Sequence, residues 1–287
     1  MSRHSRPAIV GEVCAEFAGT MILILFGVGV VAQVVTAPDG SLGDHDSIAW
    51  AWGLGVTLGV YVAARISGAH LNPAVTLAFA VFKGFEWRKV APYVVAQTLG
   101  AFVAALIVRV GYADLLASVD PGHTIKTQFV FSTLPGNGSG PASIQTAFFD
   151  QVVGTAILVF LVFALTNAWN NPPMANLGPF IIGLVVVAIG MAWGANAGYA
   201  INPARDFGPR IASLITGYGG ALRDQNGYLY FWLPIVAPLL GALVGGAAFK
   251  YLVDIHLEPD EDEAERDEAV GEPVPETAAE RPAGPTT

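Results

Sequence analysis

The sequence predicts an all-α membrane protein with six transmembrane helices plus two half-membrane helices, arranged as an inverted repeat. Three observations predict it. The 287 residues are 53% hydrophobic and only 13% charged, whereas a soluble domain carries roughly a quarter charged residues. The apolar residues gather in six long blocks, and the mean hydropathy is +0.54. The tripeptide Asn-Pro-Ala occurs at 72–74 and again at 202–204, each time after an apolar block.

The blocks fall at about 10–35, 48–66, 90–110, 146–166, 178–195 and 229–253. Each approaches or reaches the roughly 20 apolar residues that a bilayer core demands. The first is too long for the apolar region of a cleavable signal, and no small-residue cleavage site follows it, so it reads as a span. The sole cysteine, Cys14, lies inside that span. It excludes an intrachain disulfide and reads as a small packing residue.

Charge sets orientation. Arg3 and Arg6 precede the first span, and Lys83, Arg88 and Lys89 follow the second, while the stretches 36–47 and 111–145 carry only Lys126 against five aspartates. Lys and Arg mark the cytoplasmic side, so both termini are expected in the cytoplasm, in agreement with an even number of spans. The net charge of −9 belongs to residues 258–287, with eleven acids and two arginines; the other 257 residues carry twelve of each sign. Rich in Pro, Glu and Ala without apolar periodicity, 254–287 reads as a disordered acidic tail, and 1–253 as the membrane body.

The body divides in two. Asn72 and Asn202 are 130 residues apart, and at that shift Gly53-Leu54 falls on Gly183-Leu184 and Gly68 on Gly198. "EFAGTMILILF" resembles "QVVGTAILVFL" at a shift of 135, and "AQTLGAFVAA" resembles "APLLGALVGG" at 141. The repeats therefore cover about 8–110 and 146–253, joined by an outer loop at 111–145. Three spans per repeat turn the second upside down, an arrangement that brings broken helices together near the bilayer midplane.

Each interruption reads as a helix start, because Asn favours the N-cap and Pro the first helical position. Asn72 and Pro73 should begin a helix to about Phe82, and Asn202 and Pro203 one to about Ile215. Such lengths cross about half of a ~30 Å core at ~1.5 Å per residue. Irregular backbone at this depth is tolerable only where it lines an aqueous path. "HLN" and "AIN" therefore read as extended approaches whose carbonyls, without helical partners, point at a permeant molecule, and the two asparagines offer amide N–H groups to it.

"SGAHLNPAVT" and "GYAINPARDFGPR" resemble the paired boxes of the aquaporin (major intrinsic protein) family over about residues 8–253. Asp206 and Arg210 after the second box, Tyr112 after the third span, and Pro238-Leu239 in the last are similar to the glycerol facilitators within it. The resemblance implies the aquaporin fold, a homotetramer in the plasma membrane, and passive transport of glycerol, water and small neutral solutes. By position it carries over a selectivity filter of Trp52, Gly190, Tyr199 and Arg205. It assigns the central motifs Asn72, Pro73, Ala74 and Asn202, Pro203, Ala204, and pore-lining carbonyls at Gly68, Ala69, His70, Gly198 and Ala200. Water-only members place His where Gly190 stands. Tyr199 replaces the more usual Phe and is expected to make the opening slightly narrower and more polar.

Glu16 is charged inside a span, where a charge costs at least ~2.5 kcal/mol. The resemblance gives it the task of bracing the first interruption, with Gln151 as its counterpart where the family usually has Glu; Asp150 is a candidate to compensate. Arg65 reads as a residue of the cytoplasmic mouth. The five histidines are scattered, so no metal or other cofactor is expected, and no nucleic-acid partner. Neither a Ser/His dyad nor an HExxH motif points to an enzyme. "GNGSG" (136–140) reads as flexible outer loop, since it follows no strand and opens no Walker lysine. The pairs Gly55/Gly59 and Gly241/Gly245 suit close helix crossing, within or between subunits. The competing functions are a mainly water-selective channel and, less favoured, a proton-coupled transporter.

Overall fold

A computed structural model describes residues 9–257. The predicted tail from 258 onward lies outside the described residues, as do Arg3 and Arg6. Ten α-helices follow in order: α1 (Ile9–Thr36), α2 (His45–Ser67), α3 (Pro73–Phe82), α4 (Trp87–Gly111), α5 (Ala113–Val119), α6 (Ile125–Gln128), α7 (Ile144–Thr166), α8 (Gly178–Ala197), α9 (Pro203–Ile215) and α10 (Leu233–Leu252). Of these, α1, α2, α4, α7, α8 and α10 are long and apolar enough to cross a membrane. With α3 and α9 as the half-length elements, the predicted architecture stands.

Local chemistry places the boundaries. Asp44 caps α2 through a box in which its side chain accepts the Ser47 N–H at 3.0 Å, while Ser47 Oγ accepts the Asp44 N–H at 3.3 Å. Ser143 caps α7 by accepting the Thr146 N–H at 3.1 Å. At the other ends of α2 and α8, Gly68 (φ +84°) and Gly198 (φ +65°) turn left-handed, a conformation that costs glycine little.

Packing repeats with the sequence. A Cβ on Gly100 would lie 2.3 Å from the Phe17 carbonyl oxygen, and one on Gly241 would lie 2.3 Å from that of Val152. The same helix crossing is thus built twice, α4 on α1 and α10 on α7. Gly53 and Gly183 face each other across α2 and α8, each within 2.5 Å of the other's carbonyl if given a Cβ. Gly59 closes on the Gly19 carbonyl and Gly245 on that of Ala156, so both glycine pairs pack within the subunit.

Three expectations change. Cys14 is exposed, on an outward face of α1; it packs nothing in the core. The stretch 111–145 contains α5, α6 and a 3₁₀ turn at Pro135–Gly138, and Asn137 Nδ2 donates to the Gly194 carbonyl at 3.2 Å. "GNGSG" is therefore seated on α8 rather than standing free. The body also runs past 253, because Asp254 accepts hydrogen bonds from Lys83 Nζ and Asn167 Nδ2 within a 3₁₀ turn at Asp254–His256.

Candidate functional site

The two asparagines sit at the tips of α3 and α9. Asn72 Oδ1 accepts the Ala74 N–H at 2.8 Å; Asn202 Oδ1 accepts those of Ala204 and Arg205 at 3.0 and 3.2 Å. With the oxygens committed to capping, the nitrogens reach across the molecule. Asn72 Nδ2 donates to the Ile201 carbonyl at 2.8 Å, and Asn202 Nδ2 to the Leu71 carbonyl at 2.9 Å. A side-chain amide carries two N–H groups, so each asparagine keeps one for the cavity that both line. Pro73, Ala74, Pro203 and Ala204 are buried behind them.

The approach to each tip is not extended, as the sequence suggests, but left-handed at matching offsets: Gly68, Ala69 and Leu71 in one half, Gly198, Tyr199 and Ile201 in the other. Residues other than glycine avoid this region, β-branched ones most strongly, at a cost of about 1–3 kcal/mol each. Each turn must be held from behind. Glu16 Oε1 accepts from Ser67 Oγ at 2.6 Å and the His70 N–H at 2.9 Å; its Oε2 accepts from the Leu71 N–H at 2.7 Å and Gln97 Nε2 at 2.8 Å. Gln151 Oε1 accepts the Ile201 N–H, and its Nε2 donates to the Ala197 carbonyl, both at 2.9 Å. Asp150 turns away and accepts from Asn196 Nδ2 at 3.0 Å, so it does not compensate for the missing second carboxylate.

Held this way, the carbonyls of Gly68, Ala69 and His70, and those of Gly198, Tyr199 and Ala200, accept no backbone hydrogen bond from the described residues. All six residues line a cavity. Sequence reasoning missed the Tyr199 carbonyl, although its offset from Asn202 matches that of Ala69 from Asn72. The His70 ring itself is structural: it stacks on Phe79 with centroids 4.7 Å apart, and its Nδ1 lies 3.2 Å from Thr76 Oγ1.

Two cavities, of about 110 and 120 Å³, meet end to end, and Trp52, Tyr199 and Arg205 line both. The Arg205 guanidinium lies 4.0 Å from the Trp52 ring centroid, within cation–π range. Its side-chain N–H groups take no hydrogen-bond partner among the described residues, although the side chain is buried. Gly190 stands behind Tyr199: a Cβ there would lie 3.0 Å from Tyr199 Cζ. The Tyr199 hydroxyl is buried and unpartnered beside it. It therefore adds no exposed polar surface to the opening, contrary to the expectation from sequence.

Asp206 and Arg210 form a buried ion pair at 2.7 Å. Asp206 Oδ2 accepts the Thr133 N–H and Oγ1 at 2.7 and 2.6 Å, while Arg210 donates to the carbonyls of Ala221 and Thr133, both at 2.7 Å. The pair clasps α9 to the segments around 133 and 221. Tyr112 caps α4, Pro238 is buried inside α10 with Leu239 half-buried beside it, and Arg65 is exposed in the last turn of α2. None of these four lines either cavity. Sequence reasoning missed His45 and Thr133 at the second cavity and read Asn137 only as part of a flexible loop.

Six spans around a passage lined by two broken-helix tips define an integral multi-pass membrane protein. Residues 3–249 match the Major intrinsic protein family, and the chain belongs to it. It is 44% identical over 254 residues to a probable aquaglyceroporin-2 of Gibberella zeae, covering 85% of this chain and 72% of the relative. It is 41% identical over 261 residues to a glycerol uptake facilitator protein of Pseudomonas aeruginosa, covering 88% and 91%. The solved aquaglyceroporin from Plasmodium falciparum superimposes with a TM-score of 0.77 at 32% identity, over 86% of this chain and 100% of that one.

Proposed function

We propose that this chain is a passive channel for glycerol and other small uncharged solutes, which also admits water and excludes ions and protons. The cross-section where the cavities meet carries the reading. Trp52 and Tyr199 offer an apolar surface to a carbon backbone, and Arg205 offers free donors to its hydroxyls. A hydrogen bond to a charged group contributes roughly 1.5–3 kcal/mol. The unpaired carbonyls at 68–70 and 198–200 then accept from the hydroxyls in turn, so a linear polyol is solvated along its path. The relatives named for glycerol support the same assignment.

Charge exclusion follows from the same parts. The N-termini of α3 and α9 each act as roughly half a positive charge, and Arg205 adds a full one. Glu16 has its acceptor sites filled, so it is held in its brace rather than free to carry a proton. The remaining N–H groups of Asn72 and Asn202 orient a passing water as an acceptor and interrupt proton relay. The protein acts on no covalent bond. It works as a homotetramer in the lipid of the cell membrane, with both termini in the cytoplasm. The unit is a body of two inverted repeats, about 8–110 and 146–253, followed by an acidic tail.

Stopped-flow light scattering of proteoliposomes carrying an internal pH dye tests the proposal. Re-swelling in a glycerol gradient without acidification is the expected result. Shrinkage in sucrose with no re-swelling in glycerol would instead indicate a water-selective channel, and acidification a proton-coupled transporter.

A further inference from the structure

The α2 face that carries Trp52 continues toward the outer surface. His45, Ala49 and Trp52 lie at helical spacing i, i+4 and i+7, so they share one face. All three touch the filter. Trp52 faces Arg205, Ala49 packs on Gly190, and His45 Nε2 lies 2.9 Å from the Gly190 carbonyl oxygen. A carbonyl only accepts, so His45 Nε2 carries the hydrogen and donates.

The contact is seated as well as bonded. A Cβ on Gly194 would fall 2.5 Å from His45 Cε1, so the ring lies flush against α8 where α8 has no side chain. Deeper in the membrane, α2 and α8 touch at Gly53 and Gly183, where neither helix has room for a methyl group. The spacing of the two helices at the level of Gly190 is thus fixed from below by backbone contact and from above by His45. Gly190 lies inside α8, where its carbonyl also takes the helical bond from the Gly194 N–H; His45 is a second donor, and without it α8 is free to shift against α2 at the level of the filter.

We propose that His45 is a positioning residue for solute selection: its bond to the Gly190 carbonyl sets the opening beside Tyr199. This rests on the reading of the protein as a glycerol channel. His45 need not touch the permeant molecule for this role. Released from α2, the Gly190 turn of α8 and the Tyr199 ring packed against its Cα would shift into the passage. A three-carbon solute would lose more than water would.

The test compares His45→Phe, His45→Ala and His45→Gln in proteoliposomes, with glycerol and water permeability measured on each. His45→Phe keeps ring bulk without the N–H, and His45→Gln keeps a side-chain N–H without the ring. The glycerol-to-water ratio should fall about threefold or more in the Phe and Ala variants, the scale of one lost neutral hydrogen bond. It should stay within about twofold of wild type in the Gln variant. An unchanged ratio in the Phe and Ala variants, or an equal fall in all three, would overturn the proposal while wild-type glycerol flux upholds the channel reading. If wild type passes no glycerol, the channel reading fails by itself. The positioning role is then judged on water flux, where loss in Phe with retention in Gln supports it and equal flux in all overturns it.

Discussion

In the first repeat a buried carboxylate, Glu16, gathers four donors behind the turn at 68–71. In the second a neutral amide, Gln151, makes two bonds behind the turn at 198–201. The requirement common to both is an acceptor for the N–H just before each asparagine, on Leu71 and Ile201. Charge is not that requirement. The second repeat has a support that the first lacks: the Asp206–Arg210 pair ties α9 to the segments around 133 and 221. The loop at 111–145 bonds to α9 through Thr133, so it shares the task of holding the second half-helix. The first half-helix depends on Glu16, Gln97 and the aromatic packing around His70.

Removing the clasp should have the largest effect. Arg210→Met leaves Asp206 buried without its cation, a loss of about 3–5 kcal/mol, read as a lower unfolding temperature in detergent. A mild effect would mean that Gln151 alone suffices. Glu16→Gln comes next. It converts the first brace into the chemistry of the second and leaves one or two of four donors unpaired, at about 1–3 kcal/mol each. A loss within a few tenths of a kcal/mol of zero would make the two braces equivalent; complete failure to fold would make the charge indispensable after all.

The smallest effect lies in the loop at 111–145, at Asp120. Burial alone would raise its carboxyl, but hydrogen bonds from Thr127 and Thr124 outweigh that and hold it below the ordinary 3.8. Its stabilising share is therefore complete above 3.8 and is lost as pH falls through the lower folded value. Pepsin cleavage within 120–128 should be slow at about pH 4.5 and step up toward about pH 2.5, with the step absent in Asp120→Asn. Half-helix contacts should be untouched. A step shared by both proteins would remove Asp120 from the account.

Much of this was legible in the sequence, for identifiable reasons. Spans show because apolar blocks must be long, and α3 and α9 begin where predicted because Asn-Pro is both cap and first turn. Glu16 stood out as a charge inside a span. The loop at 111–145 did not show: α5 and α6 are short, without periodicity, and the loop is held by contacts far along the chain, Thr127 to Tyr218 and Thr133 to Asp206. His45 was hidden for the same reason, since its partner is a backbone carbonyl 145 residues on. Cys14 misled because residue type does not say which side of a spanning helix faces outward. Tyr199 was read by its hydroxyl, whereas the Gly190 notch decides where that hydroxyl goes.

Gly190→His puts the central claim to its most direct test. A Cβ there would already lie 3.0 Å from the Tyr199 ring, so an imidazole must displace the ring into the opening. Glycerol permeability should fall at least about tenfold, or ~1.4 kcal/mol, while water permeability falls far less. Equal losses of both, or unchanged glycerol flux, would contradict it.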